Sequence, residues 1–468
     1  MATAADGERD AAEAVTVTAA RVTVTAAGAI AIRTALPAAS SALSTEPAEL
    51  TTLDSGVRVV TEAMPSVRSI ALGFWVRAGS RDEDHEHAGI SHFLEHLLFK
   101  GTDRFSSREI DEAFDAMGAE VNAGTGKETT SVYSRFLDNH LERAFDVLQD
   151  MVLRPAYPDI DSERQVVIEE IAMYEDEPQD KVHDVLSGAI FGDHALGRPI
   201  IGRAEVVSSI PVPEIASWHD GRYVPGNMVL AAAGNLEHER IVELAEQAFG
   251  EARERGPARV DTPGGNGQIL RFHEKETEQY HLCLGGPGIA RGDDRRFALR
   301  VLDTILGGST SSRLFQEVRE KRGLAYAVYS YASHYADTGQ VALYVGTRPD
   351  NVGEAVDVIG SELRRLHEDG VSEEELERAR DNVKGRTVLS MESTLTRMNR
   401  IGSSILMGVP LLTVDEVLAA FDAVTLDDVN ELAQELWQPE RLSAAGVGGD
   451  ETAFRSALEA VSPSLAAA

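Results

Sequence analysis

The stretch AGISHFLEHLLFKG, residues 88–101, is the part of the sequence from which the rest can be interpreted. It contains no proline, and from Ser91 to Lys100 its apolar residues recur at the spacing of an α-helix. Gly101 follows at the position where glycine commonly ends a helix. The pattern therefore predicts one amphipathic helix over residues 91–100.

His92 and His96 lie four residues apart in this predicted helix, so their imidazoles share one face. Glu95 lies three residues after His92 and borders the same face. A catalytic zinc site uses such imidazoles as ligands and such a carboxylate as the base that takes a proton from water. The order H-x-x-E-H is the inverzincin signature. Two ordinary histidines on an amphipathic helix are the alternative that the pentapeptide alone leaves open.

A second informative helix is predicted over residues 161–174. It carries Glu163 and Glu170, two turns apart, on a face that also holds Val166, Val167 and Tyr174. A carboxylate on an otherwise apolar face should be buried, and a buried carboxylate needs a partner. A metal that requires a third protein ligand would be such a partner, and an ordinary exposed pair of glutamates is the alternative.

The composition indicates a globular protein with an acidic surface. Of the 468 residues 43% are hydrophobic and 26% charged, and the net charge of −33 excludes nucleic acid as an expected partner. This charge either attracts basic peptides or simply forms a well-solvated surface. The single cysteine, Cys283, allows no intrachain disulfide and fits a reducing compartment. It lies in an alternating, strand-like run, where we expect a buried structural thiol.

The sequence shows no signal for export or membrane insertion. The acidic start, MATAADGERD, precedes no apolar run of signal-peptide length, so we expect no secretory signal. No run of about 18 apolar residues occurs, so we expect no membrane span. Together with the cysteine count, these features favour a cytoplasmic protein.

A chain of this length is expected to form two or three domains. Residues 1–45 contain VTVTAA twice and are predicted to be a disordered or loosely packed extension. Residues 46–250 form the predicted catalytic domain with the zinc motif. A polar, Gly/Pro-rich linker is predicted at 251–267, followed by a second domain at 268–462.

The second domain is predicted to repeat the first without its metal site. In the first domain, strands are predicted at 57–60, 70–76, 119–124, 129–136 and 228–233, and further helices at 106–117 and 139–151. In the second, strands are predicted at 268–273, 279–285, 325–333 and 340–345, and helices at 295–306, 352–367 and 372–384. Superposing Ser162 on Ser372 places Arg380 opposite Glu170, and no H-x-x-E-H follows the linker.

Two further residues of the second domain could serve a catalytic site. Arg319 and Tyr326 flank the segment EKRGLA and could donate hydrogen bonds to a substrate carbonyl as negative charge develops on it. A salt-bridged surface arginine and a half-buried tyrosine are the alternative. The preceding Gly/Ser-rich segment, 306–315, lacks the G-K-[ST] ending of a phosphate-binding loop, which excludes nucleotide binding there.

These features together resemble the pitrilysin-type inverzincin metallopeptidases, especially the mitochondrial processing peptidase β subunit and its bacterial homologues. The matching stretches span about 50–450 and are AGISHFLEHLLFKGT, MGAEVNAGTGKETTSVY, ERQVVIEEIAMYEDEPQD, ALGRPIIG, NMVLAAAGN and LGGSTSSRLFQEVREKRGLAYAVYSY. The resemblance implies an α+β fold. Two homologous α/β-sandwich domains, each a mostly antiparallel sheet covered by helices, would be joined by a linker into a clamshell.

The resemblance also assigns roles to individual residues. It implies one Zn²⁺ per chain, held by His92, His96 and Glu170, with Glu95 as general base. Glu163 is similar to the family's carboxylate that orients a ligating imidazole. Arg319 and Tyr326 match the family's Arg/Tyr pair, at its spacing of seven. The edge strand to which the family adds its peptide substrate is represented by Val121, Asn122 and Ala123.

The sequence therefore predicts a zinc endopeptidase that cleaves extended or unfolded peptides, with the second domain helping to bind substrate. Because some members divide these functions between two subunits, we expect a homo-oligomer, most simply a dimer. A non-catalytic scaffold, like the core subunits of respiratory complexes, is one rival. A lyase of small sulfur metabolites is another, but that family is short and adds a cysteine ligand, for which Cys283 is badly placed.

Overall fold

Residues 48–250, 262–264 and 267–468 are described by the computed structural model, and they belong to one structural unit spanning 45–468. The predicted N-terminal extension lies outside the described residues, and so does most of the predicted linker. The domain boundaries proposed above therefore stay a prediction.

The first half of the chain builds a six-stranded sheet. Its strands are β1 Glu49–Thr52, β2 Arg58–Ala63, β3 Ser69–Val76, β4 Glu120–Thr125, β5 Thr130–Leu137 and β6 Met228–Gly234. Their spatial order is β1-β2-β6-β3-β5-β4, and only β2 and β6 run parallel. The central strands β3 and β6 are buried almost throughout because both faces of the sheet are covered. The predicted strand pair at 119–136 is confirmed, and β4 lies at the edge of the sheet.

Eight α-helices accompany this sheet among the described residues. They are α1 Ile90–Leu97, α2 Ser107–Met117, α3 Leu141–Leu153, α4 Ile160–Asp176, α5 Pro178–Phe191, α6 Ala204–Val207, α7 Val212–Arg222 and α8 His238–Ala248. The start of α2 shows why local sequence predicts such elements. Ser106 and Glu109 form a reciprocal capping box there, which satisfies backbone N–H groups that the helix itself leaves unpaired.

The second half builds a five-stranded sheet with the same plan. Its strands are β7 Leu270–Glu274, β8 Tyr280–Gly288, β9 Ala325–His334, β10 Gly339–Thr347 and β11 Ser443–Gly448. Their order, β7-β11-β8-β10-β9, repeats the order β2-β6-β3-β5-β4 of the first sheet, with β7 and β11 as the parallel pair. The predicted repeat and the predicted α+β fold class are confirmed.

Eight α-helices accompany the second sheet among the described residues, and the first three lie close to the predicted positions 295–306, 352–367 and 372–384. They are α9 Arg296–Leu306, α10 Val352–Glu368, α11 Glu373–Ser390, α12 Thr394–Met407, α13 Val414–Asp422, α14 Leu426–Leu436, α15 Glu451–Leu458 and α16 Pro463–Ala467. Residues Phe315–Glu320, which follow α9, form a π-helical segment and not an α-helix.

Each half gives one helix to the sheet of the other half. Helix α5, from the first half, packs its buried Val182, Leu186 and Ile190 against the second sheet. Helix α12, from the second half, packs Met398 and Ile401 against the first sheet. Neither α5 nor α12 was predicted from the sequence, so the exchange was not predicted either.

A buried ion cluster fixes α12 on the first sheet. The carboxylate of Glu62 on β2 binds the guanidinium groups of Arg397 and Arg400, the latter at 3.0 Å. A buried carboxylate without such partners would cost several kcal/mol. The cluster therefore specifies which part of α12 lies over β2.

Within the described ranges, no helix combines the length and the apolar character that crossing a membrane requires.

Candidate metal centre

Helix α1 exposes the metal motif because its other face is fully buried. Ile90, Phe93, Leu94 and Leu97 are inaccessible to solvent in the core of the first half. Each such side chain contributes roughly 1.5–3 kcal/mol through burial. The opposite face presents His92 and His96, whose ring centroids lie 4.7 Å apart.

The start of α1 is held by a residue that the sequence analysis missed. The buried carboxylate of Glu83 accepts the backbone N–H groups of Gly89 at 2.8 Å and Ser91 at 2.9 Å. Burial raises the pKa of Glu83, and these hydrogen bonds oppose that rise. Gly89 has φ of 102° and lies so close to Ile201 that a Cβ would meet its carbonyl oxygen at 2.9 Å. Only glycine suits this tight start of the helix.

Helix α4 brings the third predicted ligand to the two histidines. The Glu170 Oε2 atom lies 3.2 Å from His96 Nε2 and 3.7 Å from His92 Nε2. One ligand atom from each of the three residues lies within 4.8 Å of the others. Arg164 fixes α4 in this place by donating to the carbonyl oxygens of Val207 and Ile210. Among the described residues, no other cluster of this kind occurs, so the second half shows none.

The donor atoms of this cluster suit a zinc ion. The Nδ1 of His96 lies 2.8 Å from Glu163 Oε1, and Lys100 binds the other oxygen of that carboxylate at 2.7 Å. A proton on Nδ1 therefore points at Glu163, which leaves the Nε2 lone pair free to face Glu170. Burial, and then the neighbouring His96, lower the pKa of His92 to about 4, so its imidazole is neutral. Two imidazoles with a carboxylate form a typical zinc donor set.

The predicted base, Glu95, lies in a cavity beside this cluster. Burial raises the pKa of Glu95, while a hydrogen bond from the Thr125 hydroxyl, at 2.5 Å from Oε2, lowers it. The cavity has a volume of about 280 Å³ and is lined by His92, Glu95, Thr125, Glu170, Tyr174, Asp184, Ile200 and Ile201. Thr125 and Asp184 were not predicted as part of this site, because both come from elements remote in sequence from α1.

The prediction that Glu163 and Glu170 lie on an apolar, buried face of α4 is partly wrong. Glu163 and Val167 are buried, but Val166 is 49% exposed and Tyr174 is 40% exposed. The face of α4 is thus not a continuous apolar surface. The two carboxylates have polar partners on α1 and just after its end, namely the imidazoles and Lys100, rather than a burying apolar layer.

Val121, Asn122 and Ala123 lie on β4, the edge strand. They pair with β5 on one side, Asn122 opposite Tyr133, and no other strand of the described sheet pairs with their second side. An unpaired edge offers backbone N–H and C=O groups to another extended chain. The last residue of this strand is Thr125, which binds Glu95.

Arg319 and Tyr326 contact each other and not the metal cluster. The Arg319 guanidinium lies 4.4 Å from the centroid of the Tyr326 ring, and its Nη1 donates to the Tyr326 carbonyl oxygen at 2.9 Å. Tyr326 is 79% exposed. In the described part of the chain, no hydrogen bond or ion pair joins either residue to the histidines or to Glu170.

Cys283 is buried on β8, and burial raises its pKa well above the ordinary value. Its sulfur lies 3.7 Å from His183 Nδ1 on α5, and it is not part of the metal cluster. The expected buried thiol is confirmed, and the position gives no support to a lyase with a cysteine ligand.

The two halves of the chain match two models of peptidase family M16. Residues 58–204 match the model of the insulinase family, peptidase family M16. Residues 209–383 match the model of the peptidase M16 inactive domain. The first match contains the whole metal cluster, and the second contains Arg319 and Tyr326.

Whole-chain relatives and solved structures agree with these matches. The chain is 43% identical over 419 residues to an uncharacterized zinc protease of Streptomyces coelicolor, covering 86% of this chain and 91% of the relative. It is 44% identical over 389 residues to one of Bacillus subtilis, covering 82% and 95%. Its fold is similar to a peptidase M16 inactive domain from Pseudomonas fluorescens and to a protease from Helicobacter pylori. Both structures give a TM-score of 0.81 at 21% sequence identity, and each match covers 86% of this chain. The matches cover 98% of the Pseudomonas fluorescens chain and 100% of the Helicobacter pylori chain.

Proposed function

This chain belongs to the M16 peptidase family, and on that premise we propose that it is a zinc endopeptidase that cleaves extended or unfolded peptides. The observation that carries the proposal is the convergence of His92, His96 and Glu170, with ligand atoms within 4.8 Å, beside a cavity that also holds Glu95. A scaffold without catalysis would have no need to keep all four.

His92, His96 and Glu170 would hold one Zn²⁺ per chain. When bound, zinc acts as a Lewis acid that makes water a stronger acid and polarises a carbonyl group. Glu163 keeps His96 in the tautomer whose Nε2 is free, and Lys100 balances the charge of Glu163. The chain thus supplies a ligand set that is oriented in advance.

Glu95 would accept the proton of the attacking water and pass it to the leaving amine. Its carboxylate lines the same cavity as His92 and Glu170, so a water molecule there has a base within reach. Thr125 occupies one of its two oxygens, which leaves the other for this proton.

The peptide would add to β4 as an extra antiparallel or parallel strand, beside Val121, Asn122 and Ala123. Backbone hydrogen bonds along an edge strand require an extended substrate, and a folded protein does not offer one. This geometry favours unfolded segments and flexible termini over compact domains.

We assign Arg319 and Tyr326 to the stabilisation of the substrate carbonyl oxygen as negative charge develops on it. Among the described residues no hydrogen bond or ion pair joins them to the metal cluster, and Tyr326 is exposed. We therefore propose that the active form is a homodimer in which the pair of one subunit faces the metal cluster of the other.

The substitution Glu95→Gln tests the proposed chemistry. The amide keeps the shape of the side chain but accepts no proton, so cleavage of an unstructured peptide should fall by at least about 1,000-fold. Zinc content, measured by atomic emission, should stay at one ion per chain, because Glu95 is not a ligand. Glu169→Gln, on the exposed side of α4, is the matched control and should cleave normally.

Two results would count against the proposal. Undiminished cleavage by the Glu95→Gln variant would remove Glu95 from the mechanism. A zinc-loaded native protein that cleaves no member of a panel of unstructured peptides would favour the scaffold function instead.

A further inference from the structure

The Thr125 hydroxyl makes a short contact with the carboxylate of Glu95. Its Oγ1 lies 2.5 Å from Glu95 Oε2, and both side chains line the cavity beside the metal cluster. An ionised carboxylate can only accept hydrogen bonds, so the hydroxyl must be the donor. Charge-assisted O–H···O⁻ bonds are typically this short and are among the stronger hydrogen bonds in proteins.

In the part of the chain that the structure describes, no other acceptor lies as close to this hydroxyl as Glu95 does. The Ser91 carbonyl oxygen and the Thr130 hydroxyl each lie 3.4 Å from Thr125 Oγ1, which is too long for a strong bond. Thr130 itself donates to the Ala78 carbonyl oxygen at 3.0 Å. The Thr125 hydroxyl therefore donates its hydrogen bond to Glu95.

The backbone around Thr125 is held on both sides. Thr125 pairs with Thr130 at the end of the β4–β5 ladder, and the turn closes with Gly126 N–H donating to the Thr129 carbonyl oxygen at 2.7 Å. Arg81 N–H donates to the Lys127 carbonyl oxygen at 2.7 Å. The turn cannot shift without breaking several backbone bonds, so the position of the hydroxyl is well defined.

The carboxylate of Glu128 ties the same turn to the second half of the chain. It is almost fully buried and binds Arg81 at 2.9 Å and Arg291, from the second half, at 2.6 Å. A buried carboxylate between two guanidinium groups is costly to displace. The turn that carries Thr125 is thus fixed by both halves.

From this geometry we propose that Thr125 is a positioning residue for Glu95, holding one carboxylate oxygen so that the other faces the water to be deprotonated. The inference rests on the proposed function. Since Thr125 is the last residue of β4, the strand that would receive the peptide also orients the base that acts on it. The register of the peptide and the direction of the base are then set by one element.

The substitution Thr125→Val removes the hydroxyl and keeps the branched shape of the side chain. We expect kcat to fall about 10- to 100-fold, which is less than the loss expected when the general base itself is removed. KM should stay within about twofold, because the peptide contacts are unchanged. Thr125→Ser, which restores the hydroxyl, should return kcat to within about threefold of the native value.

Two measurements separate positioning from a general loss of structure. Thr129→Val removes a hydroxyl from the same turn, makes no change near Glu95 and should leave kcat unaltered. A crystal structure of the metal-free Thr125→Val protein should show the Glu95 carboxylate rotated out of the position that it holds here. Zinc content should be that of the native protein in all three variants.

Native kcat in Thr125→Val, or an unmoved Glu95 in its crystal structure, would overturn the inference. So would a kcat in Thr125→Ser as low as in Thr125→Val. If Thr125→Val does not fold, Thr125→Ala against Thr125→Ser makes the same comparison. A native protein that cleaves no peptide would instead refute the proposed function, and the crystal structure would still test the contact.

Discussion

Glu163 shows at the scale of one residue how a side chain that need not touch substrate can tune the metal centre. Its carboxylate binds His96 Nδ1 on one oxygen and Lys100 on the other, and its side chain is almost completely buried. The negative charge makes the imidazole a better electron donor and fixes its ring plane. Lys100 keeps that buried charge balanced, which a neutral residue at this position would not do.

Replacing Glu163 with glutamine should therefore weaken zinc binding. The amide oxygen still accepts a bond from His96 but lacks the charge, so the dissociation constant should rise about tenfold. Competition against a chelating dye at pH 7.5 measures this directly and needs no substrate. Glu169→Gln, on the solvent side of the same helix, should bind zinc like the native protein. Equal affinities in the two variants would mean that Glu163 only supports the fold.

At the scale of single elements, helix ends explain much of how this chain is built. Four helix N-termini among the described residues, those of α2, α11, α13 and α14, carry reciprocal capping boxes. In α11 the box residue Glu375 also binds Arg313 through two bonds, at 2.7 and 2.9 Å. This joins the start of α11 to the segment that follows α9.

The ion pair at the start of α11 predicts a pH dependence of stability. Burial alone would raise the pKa of Glu375, but bonds from Arg313 and Ser372 lower it to about 2. The unfolded chain therefore takes up this proton before the folded chain does as pH falls. The stability from this pair is complete above about pH 4.5 and is lost as pH falls toward 2, amounting to at most about 3 kcal/mol.

Urea unfolding at pH 7, 5 and 3 tests this effect. Glu375→Gln should be less stable than the native protein at pH 7 by about 2 kcal/mol, and the difference should shrink toward pH 3. Glu374→Gln, whose side chain lies in solvent one position earlier, should follow the native curve. A difference that does not change with pH would show that the capping geometry, and not the charge of Glu375, provides the stability.

At the scale of the whole molecule, the exchange of α5 and α12 joins the two halves into one unit. Each of these helices covers a sheet built by the other half, so neither half could expose that sheet face without losing a buried layer. Helix α5 also carries Asp184 into the metal cavity and His183 into contact with Tyr329 and Tyr331 on β9. The second sheet therefore supports the helix that contributes Asp184 to the metal cavity of the first half.

The proposed dimer predicts recovery of activity when two inactive chains are mixed. Glu95→Gln lacks the base but keeps Tyr326, and Tyr326→Phe keeps the base but lacks the hydroxyl. If Tyr326 acts across the subunit interface, each mixed dimer has one complete site, and an equal mixture should recover about a quarter of native activity. Subunits are exchanged by dilution and reconcentration, and peptide cleavage is followed by fluorescence.

An arrangement within one chain gives the opposite result. A chain with Glu95→Gln then has no base at its only site, and a chain with Tyr326→Phe has no hydroxyl at its own. Their mixture should cleave no faster than the sum of the two variants alone. That outcome, with dimers confirmed by light scattering, would place Arg319 and Tyr326 at the metal centre of their own chain.

The sequence by itself determined the elements and the metal face of α1. Apolar spacing, capping residues and turn residues act over a few positions, and they predicted most strands, fewer than half of the helices and the repeat of the two halves. The four-residue spacing of His92 and His96 fixed their common face, because one helical turn allows no other arrangement. The interpretation of Glu170 as the third ligand came from the family resemblance, and the structure brings it to the histidines.

Only the tertiary structure decided which remote residues meet. The capping of α1 by Glu83, the bond from Thr125 to Glu95, the exchange of α5 and α12, and the exposure of Val166 and Tyr326 depend on how whole layers pack. Contacts between residues far apart in sequence are chosen by the burial and hydrogen bonding of the complete fold. No local pattern encodes them, because the same short segment can pack in many ways until its neighbours are fixed.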